Sequence, residues 1–197
     1  MLFRSIRGNY FGVFLSHAAN VTVARNRILD SRVYGIDPYG YSHNLLIAEN
    51  QVSGSGLHGI ILADHVSGVR VERNSISGAR ANGIVLFHFA HDNLVRENRV
   101  GRTFDGIVVT DSSRNRLVGN SVAGVHRFGV RISGLSGENL IQRTAVTRAL
   151  LAVYLYGGAH DNRVLDSRFG TNGENVRVRA DAPRTVVRPK PPLSELR

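Results

Sequence analysis

One landmark recurs through most of this chain at an almost constant interval. A glycine followed by Ile or Val appears as Phe11-Gly12-Val13, Tyr34-Gly35-Ile36, His58-Gly59-Ile60, Asn82-Gly83-Ile84, Asp105-Gly106-Ile107 and Phe128-Gly129-Val130. The pattern then weakens to Leu151-Ala152-Val153 and Glu174-Asn175-Val176. Successive glycines lie 23, 24, 24, 23 and 23 residues apart, with 23 more to Ala152. Fourteen or fifteen residues after each of the first five glycines comes Asn26, Asn50, Asn74, Asn98 or Asn120, and Arg143 and Asp166 stand in that slot in two later units. Two residues beyond those asparagines sit Ile28, Val52, Ile76, Val100 and Val122. A period this regular means stacked units, each burying its apolar face on the next.

The period also selects the kind of unit. A helical hairpin needs about 33 residues and a 3.6-residue apolar stripe. Here the apolar alternation has a period of two, as in Ile60/Leu62, Ile84/Leu86, Ile107/Val109 and Val130/Ile132, and β-branched residues dominate. That is the signature of short strands joined by turns. A leucine-rich repeat is excluded by the lack of a leucine-dominated consensus. The expected fold is all-β, a parallel β-helix (solenoid) of about seven to eight coils with 23–24 residues per coil, rising roughly 4.8 Å per coil. The glycines then mark corners with positive φ or no room for a Cβ. The asparagines suit turns that need the left-handed conformation, and they stack their amides from coil to coil. Both columns are structural.

The ends differ from the middle. Residues 1–10 supply only a partial N-terminal coil or cap, and 11–180 carry the β-helix. Four of the five prolines fall at Pro183, Pro189, Pro191 and Pro192, so 181–197 reads as a Pro/Arg-containing C-terminal tail. The first coil has little to cover its edge, which points to a further N-terminal part or to a homo-oligomer formed through the open end. The N-terminal sequence, Met1 to Gly8, has charge inside its apolar part and no small-residue cleavage site, so it carries no export signal.

Charge narrows the partner. Twenty-five basic against fifteen acidic side chains leave a net charge of +10, and Lys190 is the sole lysine. Arginine forks suit carboxylates and phosphates, so a polyanion is expected: nucleic acid or an acidic polysaccharide. Nucleic acid ranks last, because no recognised motif or interleaved basic-aromatic element occurs. No apolar run is long enough to span a membrane. There are no cysteines, which removes disulfides, thiolate metal sites and thiol catalysis.

Coil two breaks the repeat. It reads Tyr34-Gly35-Ile36-Asp37-Pro38-Tyr39-Gly40-Tyr41-Ser42-His43. Pro38 takes the inward slot that Leu15, Leu62 and Leu86 hold in neighbouring coils, and it lacks the amide that a coil-to-coil ladder uses. Asp37 stands in an outward column otherwise filled by Phe14, Ile61, Val85 and Val108. Half of the six tyrosines (Tyr34, Tyr39, Tyr41) lie within eight residues here. A local rule broken inside a consistent repeat is where function is expected.

Tyr34-Gly-Ile-Asp37-Pro38, followed by Ser42-His43, Ile47-Ala-Glu-Asn50-Gln-Val52 and His58-Gly-Ile, resembles the mannuronan C5-epimerases over roughly residues 11–170. The resemblance implies a right-handed β-helix acting on alginate or a related acidic polysaccharide or oligouronate, with a periplasmic or extracellular location. Family members continue the motif as Asp-Pro-His followed by an acidic residue, where this chain has Tyr39-Gly40. In the next coil, where the family has a basic residue, this chain reads Ala63-Asp64-His65. Tyr34 and Asp37 carry over directly.

Inverting C5 of a uronate means removing a carbon-bound proton beside a carboxylate and returning it on the opposite face, with the carboxylate neutralised. Departure of O4 before reprotonation makes the same site a lyase, and a decayed site leaves a non-catalytic acidic-polysaccharide-binding β-helix. Tyr34 and Tyr39 are the expected proton carriers, their pKa lowered by an adjacent arginine or histidinium. Asp37 orients a neighbour or meets the neutralised carboxylate, and His43 or His65 replaces the missing imidazole. Tyr41, His58, Asp64, Phe87, Arg131 and Tyr154 are the expected substrate-binding residues, aromatic rings packing on sugar faces and arginine forking carboxylates. No cofactor is expected. Calcium enters only through the resemblance, since neither a glycine-aspartate nonapeptide array nor an EF-hand loop is present.

Overall fold

The computed structural model describes residues 4–191. Within them the chain forms twenty-four strands and no helix. They assemble into three eight-stranded sheets, each taking one strand from every coil and pairing it in parallel with the coil before and after. The first sheet carries the glycines; it includes Ile60–Ala63 and holds the longest strands, among them Phe11–Ser16, Tyr34–Tyr39 and Asn82–Phe87. The second sheet begins with Thr22–Ala24 and Leu46–Ala48. The third begins with Arg4–Arg7 and Asn26–Leu29.

Register follows the repeat. Ile36 pairs with Ile60, Ile60 with Ile84, Ile84 with Ile107 and Ile107 with Val130, all fully buried. The short strands of the other sheets each send one central aliphatic side chain inward: Ile47, Val71, Val95 and Leu117 from the second, Ile28, Val52, Ile76 and Val100 from the third. Identical columns of aliphatic side chains therefore fill the axis, each contributing roughly 1.5–3 kcal/mol on burial.

Close approach, not a positive φ, explains the glycine column. A Cβ on Gly59 would lie 2.3 Å from Ile76 Cγ2 and 2.7 Å from the Gly83 carbonyl oxygen.

The asparagines differ in part from expectation. The left-handed residue is the one before each of them: Arg25, Glu49, Arg73 and Glu97 have φ of 52° to 58°. The asparagine itself is a ladder rung. Oδ1 of Asn74 accepts from the backbone N–H of Asn50 (2.9 Å) and from its Nδ2 (3.0 Å), while Nδ2 of Asn50 donates to the Val23 carbonyl. In the later coils Arg143 and Asp166 are the left-handed residues, and Thr144 and Ser167 take the rung, with the Thr144 N–H donating to Ser167 Oγ. A second ladder, Asn93, Asn115, Asn139 and Asn162, runs along the turn entering the second sheet.

The coil continues further towards the C-terminus than the prolines indicate. Val186–Arg188 pairs in parallel with Arg163–Leu165, so the second sheet gains a strand within the expected tail. At the other end Arg4–Arg7 pairs with Asn26–Leu29 as a partial coil. Of the expected cap and tail, residues 1–3 and 192–197 lie outside the described residues. No described helix is long and apolar enough to cross a membrane.

Candidate functional site

The glycine sheet ends at a corner whose shape varies from coil to coil. Coils one and five turn there with one left-handed residue, His17 or Asp111. Coils two, three and four use two in succession: Gly40-Tyr41, Asp64-His65 and His88-Phe89. This extra residue is why the asparagine follows the glycine by fifteen positions in those coils and by fourteen in coils one and five. Consecutive left-handed non-glycine residues carry backbone strain, which tends to collect at functional sites.

Beside these corners a groove of about 480 Å³ opens over coils one to four. Its aromatic walls are Phe11, Phe14, Tyr34, Tyr39 and Phe87, its floor is Ile61 and Ala63, and its polar groups are Asp37, Asp64 and His88. Phe14 and Tyr39 stack with ring centroids 6.2 Å apart, and each stays over 40% exposed (49% and 43%). Solvent-facing aromatics on adjacent coils form a platform able to pack on sugar faces.

Asp37 is the outlier. Only 3% of it is exposed, and its Oδ1 has no hydrogen-bond partner. Burial pushes its carboxyl up to about 7, so near neutral pH it is a hydrogen-bond donor much of the time. Pro38 interrupts the ladder to the next coil, where paired residues resume only at Tyr39↔Ala63.

Tyr34 stacks on His58 with centroids 5.3 Å apart and planes 4° from parallel. Burial, then the neighbouring Asp37 and Tyr10, pushes the Tyr34 hydroxyl above its ordinary value. This is opposite to the lowering expected from the sequence, because the hydroxyl is partly buried and its charged neighbour is a carboxylate rather than a guanidinium. Burial and then the charge of Arg131 push His58 down to about 4, so it is neutral at pH 7, and its Nδ1 has no partner.

Asp64 links two imidazoles. Its Oδ1 lies 2.9 Å from His65 Nδ1 and 3.5 Å from His88 Nδ1. His65 does not line the groove and sits in an aromatic cluster with Tyr41 (4.7 Å) and Phe89 (5.0 Å).

A separate cluster lies further along the same sheet. The fully buried Asp105 accepts from Arg127 Nε (3.0 Å) and Nη2 (2.8 Å) and pairs with Arg131 at 3.3 Å. Arg131 Nη1 also donates to Tyr156 OH, and Tyr156 stacks on Tyr154 at 4.5 Å.

A family profile described as the right handed beta helix region matches residues 11–169. The chain belongs to this right-handed β-helix family. Within it, the chain is mannuronan-epimerase-like. It is 33% identical over 113 residues to the mannuronan C5-epimerase of Pseudomonas syringae, covering 56% of this chain and 21% of that protein. It is 40% identical over 60 residues to the Pseudomonas aeruginosa mannuronan C5-epimerase, covering 30% of this chain and 11% of that one. The crystal structure of the periplasmic alginate epimerase AlgG superposes with a TM-score of 0.90 at 25% identity, over 94% of this chain and 48% of that one. The chain thus spans about a fifth of the first curated relative and about half of the solved epimerase chain.

In this epimerase-like β-helix, Tyr34, Asp37, Tyr39, Asp64 and Phe87 line one groove. Tyr41, His58 and His65 adjoin it without lining it, whereas Arg131 and Tyr154 belong to the Asp105 cluster. His43 sits on an exposed turn, its Nδ1 3.1 Å from the Tyr41 carbonyl. His88 lines the groove and was missed. The fifth position after each glycine reads His17, Gly40, Asp64, His88 and Asp111, and only that column places Asp64 and His88 as neighbours. Gly40, where the family has an acidic residue, is left-handed (φ 49°), and a Cβ there would lie 3.2 Å from the His17 ring. No group of three or more His, Asp or Glu among the described residues is placed to hold a metal ion.

Proposed function

We propose that the Asp37 groove binds one uronate residue of an alginate-type polysaccharide and inverts it at C5. The observation that carries this is Asp37, a buried carboxyl without a partner, set among sugar-sized aromatic walls. Protonated, it donates to the uronate carboxylate and stabilises the enolate-like intermediate that forms when C5 loses its proton. His88, oriented by Asp64, takes the C5 proton, and the Tyr39 hydroxyl, two coils away, returns one to the opposite face. The imidazolium then loses its proton to solvent and the phenolate regains one, which closes the cycle. Tyr34 stays protonated and donates to the sugar. Proton removal and return are redox-neutral, so this reading assigns no cofactor. A periplasmic or extracellular location follows from the same reading, because the substrate is a secreted polymer.

The test is to incubate the protein with polymannuronate in deuterated water. Guluronate signals and deuterium at C5 are expected by NMR. An unsaturated product absorbing in the ultraviolet instead makes the site a lyase. One observation favours a second reading, a non-catalytic binder: no lysine or arginine lines the groove, so a uronate carboxylate meets no fixed cation. Binding without exchange or cleavage is the result that reading requires.

A further inference from the structure

A second groove, of about 600 Å³, lies at the other edge of the glycine sheet, where the third sheet turns into it over coils four to seven. It is lined by Arg80, Arg102, Arg148, Phe104 and His126, and no carboxylate lines it. Several other arginines are tied down: Arg127 to Asp105, Arg114 to Asp92 and Arg184 to Asp161. Arg80, Arg102 and Arg148 are exposed and have no ion-pair partner among the described residues, and Arg102 donates only to Ser77 Oγ at 3.3 Å. The arrangement is columnar. Arg80, Phe104 and His126 stand on three successive coils, and Arg102 and Arg148 lie beside them two coils apart. Phe104 stacks on His126 at 5.7 Å and 22°, and 41% of it remains exposed.

We infer that this corner is a second binding site for an acidic polysaccharide, separate from the Asp37 groove, which holds a uronate chain lengthwise along the coil axis. Unpaired guanidinium forks match carboxylates, and an exposed ring beside them matches a sugar face. The coil rise of roughly 4.8 Å is close to the length of one pyranose in an extended chain, so successive carboxylates meet successive coils. That match favours a polyuronate over a nucleic acid, whose bases call for a longer run of stacking rings than Phe104 and His126 provide. The choice of uronate rests on the function proposed above. The site lets the protein keep a long chain while the residue in the Asp37 groove changes.

The test compares wild type with an Arg80→Gln/Arg102→Gln/Arg148→Gln variant by titration calorimetry, using a mannuronate octamer and trimer at low salt. The expected result is at least tenfold weaker octamer binding in the variant, unchanged trimer binding, and octamer-induced NMR shifts at Phe104 and His126 in the wild type. Equal octamer affinity in both proteins, absent shifts at those two residues, or tighter binding of a single-stranded oligonucleotide than of the octamer overturns the inference. Octamer binding lost in the variant, with no C5 exchange by wild type, removes the enzymatic reading and leaves this one standing.

Discussion

His88 Nδ1 lies 3.5 Å from Asp64 Oδ1, joining the same corner position of two consecutive coils. That carboxylate hydrogen-bonds His65 Nδ1 at 2.9 Å and sets a charge beside the His88 ring, which positions a proton-transfer group. His88→Ala is therefore expected to lower C5 exchange at least a hundredfold and Asp64→Asn about tenfold. Neither is expected to shift unfolding free energy by more than about 1 kcal/mol, because both side chains are partly exposed. His43→Ala, on an exposed turn outside the groove, serves as the control and is expected to leave exchange unchanged. Exchange rates and thermal melts of the three variants check this.

Asp37 ties stability to pH. Its folded-state pKa, about 7, is raised above the ordinary 3.8. The group's stabilising contribution is present below about pH 4 and is lost as pH rises through 7. Wild-type Tm is expected to fall between pH 4 and 8 more steeply than that of Asp37→Asn. The variant is expected to be on the order of 1–3 kcal/mol more stable at pH 8, because it buries no charge. The same titration lowers oligouronate affinity in the wild type as pH rises through 7. Melts and titrations across this range measure both effects.

His58 acts in the opposite sense. Its pKa is lowered from 6.5 to about 4, so its contribution is present above 6.5 and lost as pH falls through 4. In NMR titration its imidazole is expected to remain neutral at pH 5.5, where an exposed histidine is mostly charged. A midpoint near 6.5 would show that the stack on Tyr34 does not exclude water.

The fold was legible because a β-helix repeats its packing in sequence: every inward aliphatic recurs at the coil period. Gly59 and Ile76 could be assigned to columns for that reason. The choice of asparagine rungs was legible in coils one to five and misassigned in six and seven, where Thr144 and Ser167 keep the hydrogen bond without the amide. The site was legible where it breaks the repeat, at Asp37 and Pro38. It was not legible at His88, because the fifth position after the glycine reads His17, Gly40, Asp64, His88 and Asp111 and so has no consensus to break. Nor could the rise in the Tyr34 pKa be read from sequence, since it depends on burial and on which charges the coils bring together.

The ladder and glycine columns make separable stability predictions. Asn74→Ala removes the acceptor for Asn50 N–H and Nδ2 and the donor to the Ile47 carbonyl, all buried, at a cost of about 2–4 kcal/mol. Gly59→Ala is expected to cost about 1–3 kcal/mol, because its Cβ meets Ile76 and a backbone carbonyl. Gly170→Ala, where nothing lies within 4 Å, is expected to stay within about 0.5 kcal/mol of wild type. Denaturant unfolding of the three variants ranks them.

The most direct measurement is the deuterium content at C5 of polymannuronate recovered from deuterated water after treatment with wild type and with Asp37→Asn, read by mass spectrometry. Incorporation by wild type that grows with time, and drops at least tenfold in Asp37→Asn at pH 6, is the predicted result. No incorporation by wild type, or equal incorporation by both proteins, contradicts the assignment of the Asp37 groove as the place where C5 exchanges its proton.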